Sequence, residues 1–325
     1  MTAIMKVDNT TIINVEYFSD DVIQAFVASR HGSANSARTY KNAVKRLMKF
    51  FATKSITAPT TADVDNFINT LRAEGKSAST IRLYSTITKL FFNYLEKQGV
   101  YKNVTADMAP LKLRKASTHS KDALTKNQAQ ALLKSIAGDS VIALRDKAIV
   151  ALCLQCGLRT VEVERANVED LTDAGDYYTL AVMGKGHESK DQMVKVARPV
   201  ATLIYKYLAA RGSVDKDNHT SKYKETPLFV STARNSSKGR RLSAQSVGKM
   251  IKARMKAIGI DSKRLTAHST RHFAATCAIK SGVDLREVSA MLRHSSLNVT
   301  MTYLHDISLE SRRAELAVAD ALFCA

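Results

Sequence analysis

Apolar residues recur every three or four positions along the first hundred residues, a spacing that predicts amphipathic helices. The segment SANSARTYKNAVKRLMKFFATK opens with serine and asparagine, residue types that commonly cap helices, and SASTIRLYSTITKLFFNYLEKQG repeats its plan. Residues 17–98 are therefore predicted to form four helices joined by short polar breaks. The predicted inward faces of the two quoted segments comprise Tyr40, Ala43, Val44, Leu47 and Phe51, and Ile81, Tyr84, Ile87, Phe91 and Leu95.

The pattern changes in the second part of the chain. TKNQAQALLKSIA and DSVIALRDKAIVALCLQCG predict helices, whereas DYYTLAVM and QMVKVARP predict two strands joined by GKGHESKD. Helices resume at SAQSVGKMIKARMKAIG. The expected fold class is mainly α, with a helical N-terminal domain and an α-rich second domain that contains a small antiparallel β-sheet.

Between these blocks, GVYKNVTADMAPLKLRKASTHSKDA carries Gly99, Pro110 and several basic residues but little apolar periodicity, as is typical of a linker. A chain of 325 residues also favours more than one domain. We predict an N-terminal tail over residues 1–16, a helical domain over 17–110, a basic linker over 111–121 and a second domain over 122–325.

Charge is the unusual bulk property. Lys plus Arg number 49 against 30 acidic residues, a net charge of +19, which favours a polyanionic partner such as nucleic acid. An anionic membrane surface is the alternative, but the chain holds no apolar stretch of about 18 residues and no signal peptide at its start. A basic linker between two basic domains suits a C-shaped clamp around double-stranded DNA, because neutralised phosphates release counterions.

Basic side chains that recur at helical spacing are candidate DNA contacts, although for any one of them a solvated surface residue is the commoner explanation. The candidates are Arg38, Lys41, Lys45, Lys49, Arg82 and Lys89 in the helical domain, and Lys112, Arg114 and Lys115 in the linker.

Four cysteines are too few for a disulfide framework in a chain of this size, so we expect a reducing, cytoplasmic location. Cys153 and Cys156 form a C-x-x-C pair inside an apolar helical run, with no second pair at zinc-ligand spacing. We interpret them as buried core residues.

Several polar residues of the second domain are candidates for chemistry, although each alone is a weak signal. Arg159 follows a predicted helix end at Gly157, and His268 and Arg271 share a helical face at i, i+3. A single tyrosine is usually a core residue. His268 and His272 are spaced i, i+4, as in a zinc-binding helix, but the glutamate expected in such a helix is absent. In chain order the candidates are Arg159, Glu162, Lys185, His268, Arg271, His294 and Tyr303.

The order of these elements is specific. GLRTVEV, then GKG on a predicted hairpin, then AHSTRH, LRHSS and Tyr303, resembles the tyrosine recombinases, the integrase and Xer/Cre-like family of site-specific DNA recombinases. The resemblance covers about residues 20–320 and is strongest over 266–305. It implies a tyrosine nucleophile at Tyr303 and a supporting acid at Glu162. It also implies activating residues at Arg159, Lys185, His268, Arg271 and His294.

By the same resemblance the protein would work as a homotetramer on two DNA recombination sites, through a four-way junction and by exchange of C-terminal tails. Such enzymes integrate, excise or resolve DNA elements. Two positions depart from the family pattern: Arg293 stands where glycine is common, and Val161 where a small polar residue is frequent. Neither coincides with a matched catalytic residue, so we expect effects on local loop geometry only.

The residue types fit phosphodiester cleavage on chemical grounds. Two arginine forks can neutralise the extra charge on the phosphate oxygens, so we expect no metal ion and no other cofactor. A tyrosine needs a base or a positive field to attack; His268 is the best candidate for the base, His294 for a further hydrogen bond and Lys185 for the general acid. A 3′-phosphotyrosyl link would store the bond energy, so that religation needs no ATP.

Three other functions remain open at this point. A type IB topoisomerase-like relaxase shares the chemistry but not the tetramer or the junction. A non-catalytic DNA-binding regulator would tolerate loss of the candidate residues. A zinc hydrolase built on His268 and His272 would carry stoichiometric metal.

Overall fold

The computed structural model describes residues 19–111, 122–184, 187, 189–212, 226–232, 239–301 and 303. The chain divides into two compact units, Met1–Ser117 and Thr118–Ala325. The predicted tail over residues 1–16 and the linker residues Lys112, Arg114 and Lys115 lie outside the described residues.

The described part of the first unit contains the four predicted helices. Each begins where a serine or threonine side chain accepts a hydrogen bond from a backbone N–H of the first turn, which satisfies one donor that the helix itself cannot. The helices are α1 (Asp20–Ala28), α2 (Ala34–Thr53), α3 (Thr61–Ala73) and α4 (Ala78–Lys97).

Their apolar faces meet in one core, and the two predicted inward faces are confirmed. Val44, Leu47 and Phe51 of α2 are buried, and so are Phe91 and Leu95 of α4. The two predicted tyrosines are only partly buried and pack at the edge of this core, which leaves room for their hydroxyl groups at the surface.

The second unit is mainly helical with one small sheet. Its described helices are α5 (Lys126–Ser135), α6 (Val141–Cys156), α7 (Thr160–Arg165), α8 (Arg198–Arg211), α9 (Ala244–Ala257), α10 (Ala267–Lys280), α11 (Leu285–Leu292) and α12 (Leu297–Met301), with a short 3₁₀ helix at Val168–Asp170. Its strands are β1 (Leu171–Asp173), β2 (Tyr178–Val182) and β3 (Gln192–Val196).

The sheet is antiparallel in the order β1-β2-β3, with Leu180 paired to Val194 across the two predicted strands. Strand β1 was not predicted, because three residues are too short for an alternating pattern. The predicted second strand is also too long at its C-terminal end: β3 stops at Val196 and α8 starts at Arg198. Proline in the first turn of α8 explains this boundary, since its fixed φ suits a helix start.

Helix α6 lies at the centre of the unit and is buried along most of its length. Cys153 and Cys156 are buried in its core-facing surface, and burial raises the pKa of both thiols to about 12. They pack as small apolar residues, as predicted. No described helix, α6 included, has the length and apolarity needed to cross a membrane.

Candidate active site

Arg159 stands at a sharp turn between two helices. Helix α6 ends at Gly157, whose left-handed backbone (φ 58°) redirects the chain, and Arg159 caps the start of α7. Its Nη1 donates to Oε1 of Glu162 at 2.8 Å and its backbone N to Oε2 at 2.8 Å. The Arg159 side chain remains 27% exposed, so part of its guanidinium faces solvent.

Arg271 joins the ends of two helices from a position on α10. Its Nη1 donates to the Gly157 carbonyl at 2.6 Å, and its Nη2 donates to the Leu292 carbonyl at the end of α11. Only 1% of Arg271 is exposed. Burial, followed by the charges of Arg159 and Arg293, lowers its pKa to about 10, so the group remains a cation at neutral pH. Cations crowded in this way favour a bound anion.

Two histidines of α10 link the protein surface to Tyr303. His268 is exposed, and its ring centroid lies 4.9 Å from that of the buried His272, at an interplanar angle of 77°. His272 meets the Tyr303 ring with the same separation and angle. From the sequence, His272 was a candidate only as a zinc ligand, and its position between His268 and Tyr303 was not predicted. Its i, i+4 spacing from His268 was the available signal.

His294 follows α11 and packs against Tyr303 from another side. The two rings are nearly parallel, with centroids 6.0 Å apart, and Nδ1 of His294 shares a hydrogen bond with Oγ1 of Thr300 at 2.8 Å. Burial lowers the pKa of His294 to about 4, assisted by the nearby charges of Arg271 and Arg159. His294 is therefore neutral at physiological pH.

Tyr303 is 3% exposed and belongs to a small apolar cluster with Ala275, Val288 and Leu292. The ring packs as a core residue does, yet His272 and His294 both contact it. Tyr303 is therefore a buried ring with two histidine rings among its neighbours.

Glu162 is completely buried and is shared by two arginines. Besides its bonds with Arg159, it accepts hydrogen bonds from Nη2 of Arg293 at 2.7 Å and from Nε of Arg293 at 3.3 Å. Burial raises the pKa of the Glu162 carboxyl, but the two arginines outweigh this effect and leave it lowered. The expectation that Arg293 affects only local loop geometry is therefore too narrow, because its side chain contacts the partner of Arg159.

An open groove runs past Arg159 and His268 along α9. Lys249 of this helix is exposed, and Lys256 is exposed but pairs with Asp261 at 3.2 Å. Lys252 donates to the carbonyls of Ser262 and Leu265. These lysines were not among the predicted DNA contacts. The three- and four-residue spacing of lysines along α9 could have identified them.

The structure does not describe Lys185, the predicted general acid. It does describe the base of its hairpin. Arg165 donates to the Gly184 carbonyl at 2.9 Å, and Lys190 forms an ion pair with Asp170. The two strands that lead to Lys185 are thus fixed to the body of the unit.

The basic residues predicted on the first unit have different surroundings. Arg38, Lys49 and Arg82 are exposed, and Lys41 is half-buried. Lys45 is exposed and pairs with Asp20 at 2.9 Å. Lys89 is half-buried and donates to the Met108 carbonyl at 3.0 Å, which reduces its availability to an external anion.

The zinc alternative requires a third protein ligand beside His268 and His272. Across the part of the chain that the structure describes, no three His, Cys, Asp or Glu side chains are grouped closely enough to hold a metal ion.

Comparison with known proteins identifies the family. Residues 122–309 match the Phage integrase family, and residues 23–99 match the N-terminal SAM-like domain of phage integrases. Tyrosine recombinase XerD of Bifidobacterium longum is 31% identical over 275 residues, 82% of this chain and 85% of its own. Tyrosine recombinase XerC of Thermodesulfovibrio yellowstonii is 27% identical over 293 residues, 90% of this chain and 92% of its own.

A solved structure supports the fold. XerH site-specific recombinase, bound to a palindromic difH substrate in a post-cleavage complex, is similar with a TM-score of 0.69 at 20% identity. The match covers 93% of this chain and 84% of that one. The family match covers more than half of the chain and favours recombination over the alternative functions. The chain belongs to the phage integrase family and is a tyrosine-type site-specific DNA recombinase.

Proposed function

We propose that this recombinase cleaves and rejoins double-stranded DNA through Tyr303, by way of a 3′-phosphotyrosyl intermediate and a Holliday junction. The observation that carries the proposal is the position of Tyr303, which contacts the rings of His272 and His294 close to Arg271. A phenol needs such surroundings to become a nucleophile, because its ordinary pKa is about 10.

DNA is the substrate that the charge pattern favours. The chain carries a net charge of +19, and the groove beside Arg159 and His268 is bordered by exposed lysines of α9. Related recombinases have been solved with DNA substrates, XerH among them. We propose that Lys249 and Lys256 bind phosphates there. We propose that exposed basic residues of the first unit, notably Arg38, Lys49 and Arg82, also bind DNA phosphates. The linker residues Lys112, Arg114 and Lys115 are proposed to bind phosphates as well.

Arg159 and Arg271 would bind the non-bridging oxygens of the scissile phosphate. The described hydrogen bonds occupy one Nη1 donor and one Nη2 donor of each guanidinium, which leaves further N–H groups for an anion. Arg159 already faces solvent, but Arg271 and Tyr303 are buried. The phosphate would therefore bind first at Arg159, and the segment that carries Tyr303 would shift before Arg271 completes the site.

Proton movements follow from the same arrangement. We propose that His268 accepts the phenol proton once the segment that carries Tyr303 has shifted, because in the described arrangement the ring of His272 lies between them. A neutral His294 whose Nδ1 accepts from Thr300 would have its Nε2–H to donate to the phosphate. The departing 5′-oxygen needs a proton, and we assign that role to Lys185 on its anchored hairpin. The tyrosyl ester conserves the energy of the broken bond, so no cofactor is required.

We propose a homotetramer that exchanges C-terminal tails. Support comes from apolar side chains on α12, where Leu297, Val299 and Met301 are exposed. The tail itself lies outside the described residues, but its sequence places apolar residues at Leu309, Leu316, Val318 and Leu322. Truncation after Asp306 should weaken tetramers more than DNA binding. An unchanged sedimentation profile of the truncated enzyme on DNA would refute the tail as the link.

The central test is covalent capture of DNA. A library of randomised duplex oligonucleotides is incubated with the enzyme, and duplexes that resist removal by SDS are recovered and sequenced. Tyr303→Phe should fold and bind the captured duplex but form no adduct. Tyr207→Phe is the matched control: Tyr207 is also buried, and its hydroxyl accepts from the backbone N–H of Val230. It should lose about 1–3 kcal/mol of stability yet still form the adduct.

An adduct formed by Tyr303→Phe would overturn the assignment of the nucleophile. A wild-type enzyme that retains no duplex after SDS would count against a covalent mechanism altogether. Mass spectrometry of the digested adduct identifies the linked residue independently of either variant.

A further inference from the structure

Arg293 has an unusual backbone conformation for a side chain of its size. It ends α11 with φ 55° and ψ 50°, in the left-handed region that favours glycine. Its side chain is nevertheless 3% exposed, so a guanidinium is both buried and attached to a disfavoured backbone. Such an outlier persists only where surrounding contacts compensate for it, and it commonly marks a functional position.

The compensating contact is the carboxylate of Glu162. This group accepts four hydrogen bonds, two from Arg159 and two from Arg293. A further bond from Nη1 of Arg293 to the Met291 carbonyl at 2.6 Å holds the guanidinium in place. The backbone carbonyl of Arg293 also accepts from Nη2 of Arg159 at 3.4 Å. Arg293 thus contacts Arg159 directly through its backbone and indirectly through Glu162.

The charge balance explains what this arrangement achieves. Glu162 alone would cancel one of the two cations that face the scissile phosphate, Arg159 and Arg271. With Arg293 included, the site holds three guanidinium groups and one buried carboxylate, which bonds to Arg159 and Arg293, so the cluster keeps two net positive charges. A phosphodiester gains a second negative charge as the nucleophile attacks, so two net positive charges match the transition state better than one.

We propose that Arg293 is a positioning residue for strand cleavage: by sharing Glu162, it leaves the charge and outer donors of Arg159 available to the scissile phosphate. The proposal rests on the proposed function, since it concerns the same phosphate site. The competing explanation is a purely structural ion pair, in which Arg293 stabilises the turn after α11 and the cleavage chemistry does not depend on it.

Three substitutions distinguish these explanations. Arg293→Gly and Arg293→Asn remove the charge and both tolerate a left-handed backbone, so one of them serves if the other fails to fold. Arg293→Lys keeps the charge but not the two-pronged contact. Each variant is compared with the wild type in single-turnover cleavage of the captured duplex across a pH series.

We expect Arg293→Gly and Arg293→Asn to cleave about 10- to 100-fold more slowly at neutral pH, with DNA affinity nearly unchanged. The pH of half-maximal cleavage should move upward, because a weaker positive field raises the pKa of the attacking phenol. Tyr303 faces His272, His294 and Arg271, and these groups are the same in every variant. The pH dependence of cleavage by Arg293→Lys should be close to that of the wild type.

A readout without DNA separates this proposal from the proposed function. His294 lies near Arg271, Arg159, Arg293 and His268, each of which lowers its pKa. Removal of Arg293 should therefore raise the pKa of His294, measured by NMR titration of its imidazole carbons, whereas Arg293→Lys should raise it less. If the wild type forms no adduct but this shift is present, the covalent mechanism fails and the influence of Arg293 on the site stands.

Two results would overturn the inference. The first is a neutral variant that cleaves at the wild-type rate with the wild-type pH profile while only its thermal stability falls. The second is a His294 titration that is unchanged in both neutral variants. Either outcome would assign Arg293 to the structural ion pair alone.

Discussion

The imidazole of His294 stacks on the phenol of Tyr303, with ring centroids 6.0 Å apart and planes inclined by 7°. Burial lowers the pKa of His294 to about 4, and neighbouring cations contribute. The ring is therefore neutral when it packs against the tyrosine. Protonation would place another positive charge beside three guanidinium groups, those of Arg159, Arg271 and Arg293.

This relationship predicts an acid-sensitive fold. The folded pKa of His294 is lower than the unfolded value of about 6.5, so the unfolded state binds more protons between pH 6.5 and 4. The contribution of the neutral ring to stability is complete above pH 6.5 and is lost as the pH falls to about 4. Because His294 is only half-buried, solvent screens part of this effect. We expect a loss of folding stability of about 1–2 kcal/mol across this window.

The measurement is urea unfolding of the wild type and His294→Gln at a series of pH values from 7 to 4. Glutamine cannot take up a proton, so the variant should lose less stability on acidification. Parallel pH dependence in the two proteins would show that His294 is not the titrating group.

The second prediction concerns the departing oxygen. If Lys185 is the general acid, Lys185→Ala should slow cleavage of the captured duplex strongly but spare a duplex whose scissile 5′-bridging oxygen is replaced by sulfur. A thiolate leaving group hardly needs a proton, so its departure does not depend on the acid. Lys190→Ala is the control on the same hairpin, because Lys190 pairs with Asp170. Equal defects of Lys185→Ala on oxygen and sulfur substrates would exclude the assigned role.

The third prediction concerns metal ions. Arg159 and Arg271 supply the positive charge that a divalent cation would otherwise provide at a phosphodiester. Cleavage of the captured duplex should therefore proceed at a similar rate in EDTA and in Mg²⁺ once ionic strength is matched. Strict dependence of adduct formation on an added metal would contradict the proposed phosphate site.

Local features were the ones that the sequence could predict. The period of apolar residues located α2 and α4, because each helix must bury one face. Gly157 marked the end of α6, since only glycine adopts the left-handed conformation there without strain. The order of Arg159, Arg271, His294 and Tyr303 indicated the family without revealing their distances.

Contacts between distant parts of the chain were beyond such patterns. Glu162 and Arg293 are separated by 131 residues, and Arg271 bonds to a carbonyl 114 residues earlier. Periodicity describes one helix at a time and says nothing about which helix ends meet. The sharing of Glu162 could therefore be found only in the folded chain, and the same holds for the contact between His272 and Tyr303.

The last prediction concerns the turn that anchors Arg271. A methyl group added at Gly157 would lie 2.7 Å from Cδ2 of Leu292, and the glycine also has φ 58°. Gly157→Ala therefore combines backbone strain of about 1–2 kcal/mol with overpacking of about 1–3 kcal/mol. Gly212→Ala is the matched control: Gly212 ends α8 with φ 73°, but nothing lies within 4 Å of the added methyl.

Both variants should lose stability, and Gly157→Ala should lose clearly more. Only Gly157→Ala should also slow cleavage of the captured duplex, because the added methyl displaces the Leu292 side chain, and Arg271 donates to the carbonyls of both Gly157 and Leu292. Urea unfolding and single-turnover adduct formation measure the two effects separately. Equal cleavage rates in the two variants would mean that this turn tolerates movement and that Arg271 does not depend on it for its position.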